Sequence, residues 1–273
     1  MRTPNTKSLM TWSGSARLSF GSDAFFRVPL LFVALLAGPA HADDAAPAFD
    51  RPGIAFATET LPRGTFAWEQ GLPDASTDRT DGIRTTTWIA DTLLRFGVAD
   101  TLELQLGANS FGGVKVRGRG EHSSEHGGGD GWASVKWAPA TSSDDFTWAV
   151  LATATLPFGE APIGDGGHDY DVGITGTWAL PSDTSVSLYA DRSWGDSGRG
   201  WMFSPSFAFP LGEDVGGYVE AGYGTGAART RVAGGGVTWM ATARLQLDAS
   251  FLRGLDDDSP DWQGGIGMAL YFP

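Results

Sequence analysis

The chain has 273 residues, with 32 acidic against 19 basic side chains, no cysteine and a mean hydropathy of −0.13. Its acidity argues against nucleic acid as a partner, because binding phosphates requires a basic surface. Without cysteine there are no disulfides or thiolate metal sites, and no stretch after Ala42 reaches the roughly 18 consecutive apolar residues of a spanning helix.

Residues 1–42 differ from the rest. Arg2, Lys7, Arg17 and Arg27 precede an apolar run from Val28 to Ala37, and Gly38-Pro39 leads into Ala40-His41-Ala42. This reads as a secretory signal cleaved before Asp43. Its removal leaves 15 basic against 31 acidic side chains, a net charge of −16 on the exported chain. Residues 43–63, with Pro47, Pro52 and Pro62, read as a periplasmic lead-in containing a small strand at Ile54 to Thr60.

From residue 64 to 273 the pattern is that of strands. Within Thr92 to Asn109, Leu102, Leu104, Leu106 and Ala108 alternate with Glu103, Gln105 and Asn109, and Trp88, Ala90, Thr92, Leu94 and Phe96 alternate with Asp91 and Arg95. Successive strand side chains face opposite ways, so one face is apolar and the other polar, as the wall of a membrane barrel requires. Twelve strands are expected, at 64–73, 83–96, 101–111, 130–138, 146–157, 168–180, 184–194, 200–209, 215–223, 231–240, 244–253 and 262–272. The connections at Gly97 to Asp100, Pro139 to Asp145, Pro181 to Asp183, Pro210 to Asp214 and Ala241 to Ala243 are short. The others are richer in glycine and charge, above all Phe111 to Gly129, which is expected to be an outer loop gating the barrel. Both termini then lie in the periplasm.

Tryptophan placement agrees, since indoles favour the boundary between lipid and water. Trp137, Trp148, Trp178 and Trp239 fall near one set of strand ends, and Trp194, Trp201 and Trp262 near the other. The fold expected is all-β, a transmembrane antiparallel up-and-down β-barrel of about 12 strands, closed so that no edge is left unpaired.

Several phrases resemble the outer-membrane transporter family of the phenol-degradation meta pathway. They are Leu61-Pro62-Arg63-Gly64 followed by Trp68-Glu69-Gln70-Gly71; the run from Leu94 to Leu104; Gly129-Asp130-Gly131-Trp132 with Val135-Lys136-Trp137; Thr155-Leu156-Pro157-Phe158-Gly159; and Leu245-Gln246-Leu247-Asp248 with the Gly-rich last strand. The resemblance spans nearly all of residues 57–272 and implies a barrel that passes small, often aromatic or hydrophobic, compounds across the outer membrane.

If Leu102 and its alternates face lipid, the interior receives Asp91, Arg95, Glu103, Gln105, Asp130, Lys136, Asp169, Asp171, Asp191, Glu220, Gln246 and Asp248, with Tyr189 and Tyr218. Twelve strands enclose a narrow or partly plugged lumen. These residues have two roles open to them: an acidic lining that sets the selectivity of a pore, and a network in which Arg95 and Lys136 bridge carboxylates and stiffen the barrel. No metal or cofactor is expected. His122 and His126 sit in a glycine-rich stretch without the rigidity of a metal site, and the acids at 74, 78, 81, 256, 257, 258 and 261 lack the spacing of a calcium loop. Gly222-Tyr223-Gly224 is a strand-end turn, with no helix after it to bind phosphate.

No enzyme is expected either. Ser123, Ser124 and His122 share a loop in this reading, and no oxyanion donor stands near them. The function expected is an outer-membrane channel or transporter for passive uptake of small molecules. Its partners would be outer-membrane lipid, lipopolysaccharide and a small solute, and the protein would be a monomer. The alternative is a closed structural or surface-interaction barrel that uses its acidic outer loops.

Overall fold

The computed structural model describes residues 46–143 and 145–273, so the expected signal segment lies outside the described residues. Thirteen strands follow in chain order: β1 (Phe66–Thr80), β2 (Ile83–Ala99), β3 (Leu102–Gly118), β4 (Glu121–Gly127), β5 (Gly131–Trp137), β6 (Phe146–Leu156), β7 (Asp169–Leu180), β8 (Thr184–Gly195), β9 (Gly198–Pro210), β10 (Val215–Gly226), β11 (Thr230–Thr242), β12 (Leu245–Gly254) and β13 (Trp262–Phe272). All pairings are antiparallel between neighbours, and β1 with β13 closes the ring. Strand β3 pairs with β5 along its first half and with β4 along its second, so β4 and β5 lie end to end in one wall position. The result is a closed barrel of twelve wall positions, with no helix among the described residues.

The alternation read from the sequence sets which way each side chain points. Leu104 and Leu106 stand outside, exposed, while Glu103 and Gln105 are buried within. Outward tryptophans form two belts, Trp137, Trp178 and Trp239 towards the end at which the last strand finishes, and Trp194, Trp201 and Trp262 towards the far end. The apolar cluster of Phe49, Leu61, Ala67, Ala269 and Tyr271 lies inside the terminal end.

Three expectations need correction. Strand β1 continues to Thr80, past the expected end at residue 73. The ladder slips between Gly71 and Asp74, at Pro73, which has no N–H to donate, and resumes at Asp74, opposite Gly265 and Ile89, with the Thr77 and Thr86 hydroxyls 3.0 Å apart further on. Second, most of Phe111 to Gly129 is no loop. Val114 and Val116 alternate with Lys115 and Arg117 along the end of β3, the chain reverses at Arg119 (φ 48°) and Gly120 (φ 85°), and β4 returns beside β3. The long connections at the far end are 157–168 and 255–261. Third, residues 46–63 are no lead-in ahead of the barrel, and Ile54 to Thr60 form no strand. The segment runs inside the lumen because its buried amides and charges find their partners on the inner wall.

Candidate functional site in the barrel lumen

The inner wall of β1, β2, β3 and β5 presents Glu69, Arg95, Glu103 and Lys136, each 0% exposed. Arg95 grips Glu103 with two bonds, Nε to Oε1 at 2.8 Å and Nη2 to Oε2 at 3.0 Å, and donates from Nη1 to Glu69 Oε1 at 2.9 Å. Glu69 also accepts the backbone N–H groups of Asp50 (3.0 Å) and Arg51 (2.8 Å), and Glu103 accepts that of Leu61 (2.8 Å). Asp50 closes the cluster, accepting from Lys136 Nζ at 2.6 Å and Gln105 Nε2 at 2.7 Å. Burial alone would raise the Asp50 carboxyl, but the Arg95 and Lys136 charges beside it hold it below the ordinary carboxylate value. Charges without water are tolerable only when paired and hydrogen-bonded, and here wall and threaded segment satisfy one another.

Further along, Arg51 points across the lumen to Asp74 (Nη1 to Oδ2, 3.1 Å), Asp91 (3.3 Å) and Asp248 (3.5 Å), and its carbonyl oxygen accepts from Gln246 at 3.1 Å. Glu220 accepts the Ile54 N–H at 2.9 Å. The Phe56 ring lies edge-on to Tyr189, centroids 5.8 Å apart, with Lys136 Nζ 5.6 Å from its centre. The Thr58 hydroxyl reaches Thr147 at 2.6 Å, and Thr60 donates to the Asp100 carbonyl at 2.8 Å. The segment therefore touches the inner wall most of the way round. Glycines make room for it: a Cβ on Gly267 would sit 2.5 Å from Arg51 Nε, and one on Gly222 would sit 2.9 Å from Ile54 Cδ1.

The rest of the lumen is polar. Asp171 of β7 and Asp191 of β8 are buried on the inner wall, and their Oδ2 atoms have no hydrogen-bond partner among the described residues, nor do Thr175 Oγ1, Ser204 Oγ and Tyr218 OH. Asp130 does not line a passage. It anchors the 157–168 connection, accepting the N–H groups of Gly159 (2.8 Å), Asp165 (2.9 Å) and Gly166 (3.3 Å), while Ile163 is buried and packs towards Gly112 and Gly129. Asp169 sits at the far rim, bonded to Ser197.

The structure thus brings Arg95, Glu103, Gln105 and Lys136 into one cluster, joins Asp91 and Asp248 through Arg51, and pairs Asp171 and Asp191 by strand neighbourhood near Tyr189. It adds Asp50, Arg51, Phe56, Glu69 and Asp74, which the sequence reading missed. Glu69 was within reach of it, because Ala67, Glu69 and Gly71 alternate with Phe66, Trp68 and Gln70. Outside the barrel, His126 proves to lie on a strand, stacked on Phe111 with Ser124 Oγ 3.4 Å from its Nε2. No carboxylate orients that histidine among the described residues.

Comparison with known proteins adds the following. A family model described as "Putative MetA-pathway of phenol degradation" matches residues 49–272, which takes in the threaded segment as well as the wall. The fold superposes on an outer membrane channel from Pseudomonas putida F1 with a TM-score of 0.61 at 16% identity, covering 81% of this chain and 99% of that one. It also superposes on the KdgM porin, with a TM-score of 0.52 at 10% identity over 77% of this chain and 99% of that one. The KdgM porin in complex with disordered oligogalacturonate gives 0.51 at 10% identity, with the same coverage. At such identities the likeness is one of fold, that of an outer-membrane barrel. No curated protein sequence matches the chain.

Proposed function

Because the chain belongs to the family described as "Putative MetA-pathway of phenol degradation", we propose that it is a passive outer-membrane channel for small molecules, aromatic compounds among them. Export by a cleaved signal of residues 1–42 delivers the remainder. The barrel stands as a monomer with its termini in the periplasm, lipid around its aromatic belts, and lipopolysaccharide at the far end.

The observation that carries this reading is the polar inner wall. A barrel with no passage would gain from an apolar interior, yet here Asp171, Asp191, Thr175, Ser204 and Tyr218 keep buried polar atoms beyond what the Arg95 cluster uses. The threaded segment narrows the lumen, and uncompensated acids remain along β7 and β8. The route is accordingly tight and favours neutral or cationic solutes.

A second reading has its own support: a segment seated by several ion pairs is compatible with a permanently shut, structural barrel. Conductance of the refolded barrel in a planar bilayer, under potassium chloride gradients, decides between them. Small discrete steps with cation preference are expected, growing when Asp50→Ala loosens the segment. Electrical silence in both proteins would sink the channel reading in favour of the structural one.

A further inference from the structure

The outward wall at the far end of β1, β2 and β3 carries an arrangement that solute passage does not use. Register sets Arg79 of β1 directly opposite Arg84 of β2, and Arg84 directly opposite Arg117 of β3; the row ends at His122 of β4. Lys115 stands on the same face two residues from Arg117, and all four cations are exposed. Like charges directly opposite one another destabilise a sheet, and this chain has acids to spare, with 32 against 19 basic residues. Yet the far-end ion pairs lie elsewhere, joining Arg229 to Asp258 and Arg231 to Asp256, and Arg79, Arg84, Lys115 and Arg117 form none among the described residues.

Beside the row is a groove of about 500 Å³ lined by Thr77, Arg79, Arg84, Arg253, Asp261 and Trp262. Asp261 is its acid, and the Asp261 carbonyl oxygen accepts from Arg253 Nη1 at 2.6 Å. The outward aromatic pair Trp88 and Phe111, ring centroids 5.5 Å apart, marks the lipid boundary on the same strands. Arg84 is four residues beyond Trp88, about 13 Å along the strand at roughly 3.3 Å per residue. The arginines therefore stand at headgroup height, just above the apolar belt.

We propose that this row binds the phosphorylated headgroup of an outer-leaflet glycolipid of the lipid A type. A phosphate set between opposed guanidinium groups accepts paired hydrogen bonds from them and turns their mutual repulsion into shared attraction. The acyl chains continue down the wall over Trp88, Phe111 and Trp262. The proposal depends on the outer-membrane setting and not on whether the lumen conducts.

Its test uses the barrel in mild detergent, with lipid A carrying both phosphates, the same lipid without them, and inorganic phosphate as separate probes. Native mass spectrometry should show lipid A retained by the wild-type barrel, at least tenfold weaker retention of the dephosphorylated lipid, and no displacement by inorganic phosphate. The triple variant Arg79→Ala/Arg84→Ala/Arg117→Ala should lose at least tenfold in retention, and Arg199→Ala/Arg229→Ala should not. Arg84→Gln supplies a readout that a folding defect would not mimic. Without lipid A it should unfold at the same or a higher temperature than wild type, because a repulsion is gone, and with lipid A at a lower one. Equal retention by the triple variant, indifference to the phosphates, displacement by inorganic phosphate, or no reversal for Arg84→Gln would each overturn the proposal.

Discussion

Arg95 bridges two buried carboxylates and is itself fully buried, so its removal does more than delete a contact. Arg95→Met leaves buried Glu69 with backbone donors alone and Glu103 with Lys136, 3.8 Å away, as its remaining cation, which should destabilise the barrel by about 3–5 kcal/mol. The urea midpoint of the detergent-folded protein reads this directly, and the triple change with Glu69→Gln and Glu103→Gln should recover much of the loss. Asp50 gives the same cluster a pH signature. Its folded value lies below its ordinary one, so its contribution is complete above the ordinary carboxylate range and is lost as pH falls through the folded value. Conductance should thus be unaffected by Asp50 between pH 7 and pH 5 and should rise only below about pH 4, as the segment detaches. A rise already at pH 6 would mean that another group holds it.

At the scale of elements, the 157–168 connection is the far-end piece turned inward, and three backbone N–H groups on Asp130 keep it there. Asp130→Ala should speed amide exchange at Gly159 and Asp165 by about tenfold or more, since each lost bond is worth about 1 kcal/mol. Deleting residues 112–128 removes a β-hairpin that extends the wall at its far end, and should leave conductance unchanged. Strand order and facing were legible in the sequence because period-two alternation is local: Leu102 to Asn109 carries its own orientation. The β3–β4 hairpin was obscured by the glycines at 112, 113, 118 and 120, although Val114 to Arg117 alternates between them. The threaded segment could not be read at all. Its partners are far away in the chain, Arg51 reaching Asp248 across 197 positions, and no local pattern reports a long-range ion pair.

For the whole molecule, the segment and the wall form one polar interior, and each is incomplete alone. Deleting residues 46–61 strips Glu69, Glu103 and Glu220 of their backbone donors and Lys136 of Asp50, so the product should show both larger conductance and a lower heat-modification temperature on gels. Larger conductance at unchanged stability would assign the stabilising role to the wall's own Arg95 pairs. Arg51 adds a constraint of a different kind. Its side chain reaches Asp91 on β2, Asp74 on β1 and Asp248 on β12, passing Gly267 on β13, and so straddles the seam where the first strand meets the last. A clasp of this kind acts on strands that are neighbours in space and far apart in the chain, the first and the last. It buttresses from within a junction of the ring that no hairpin turn secures.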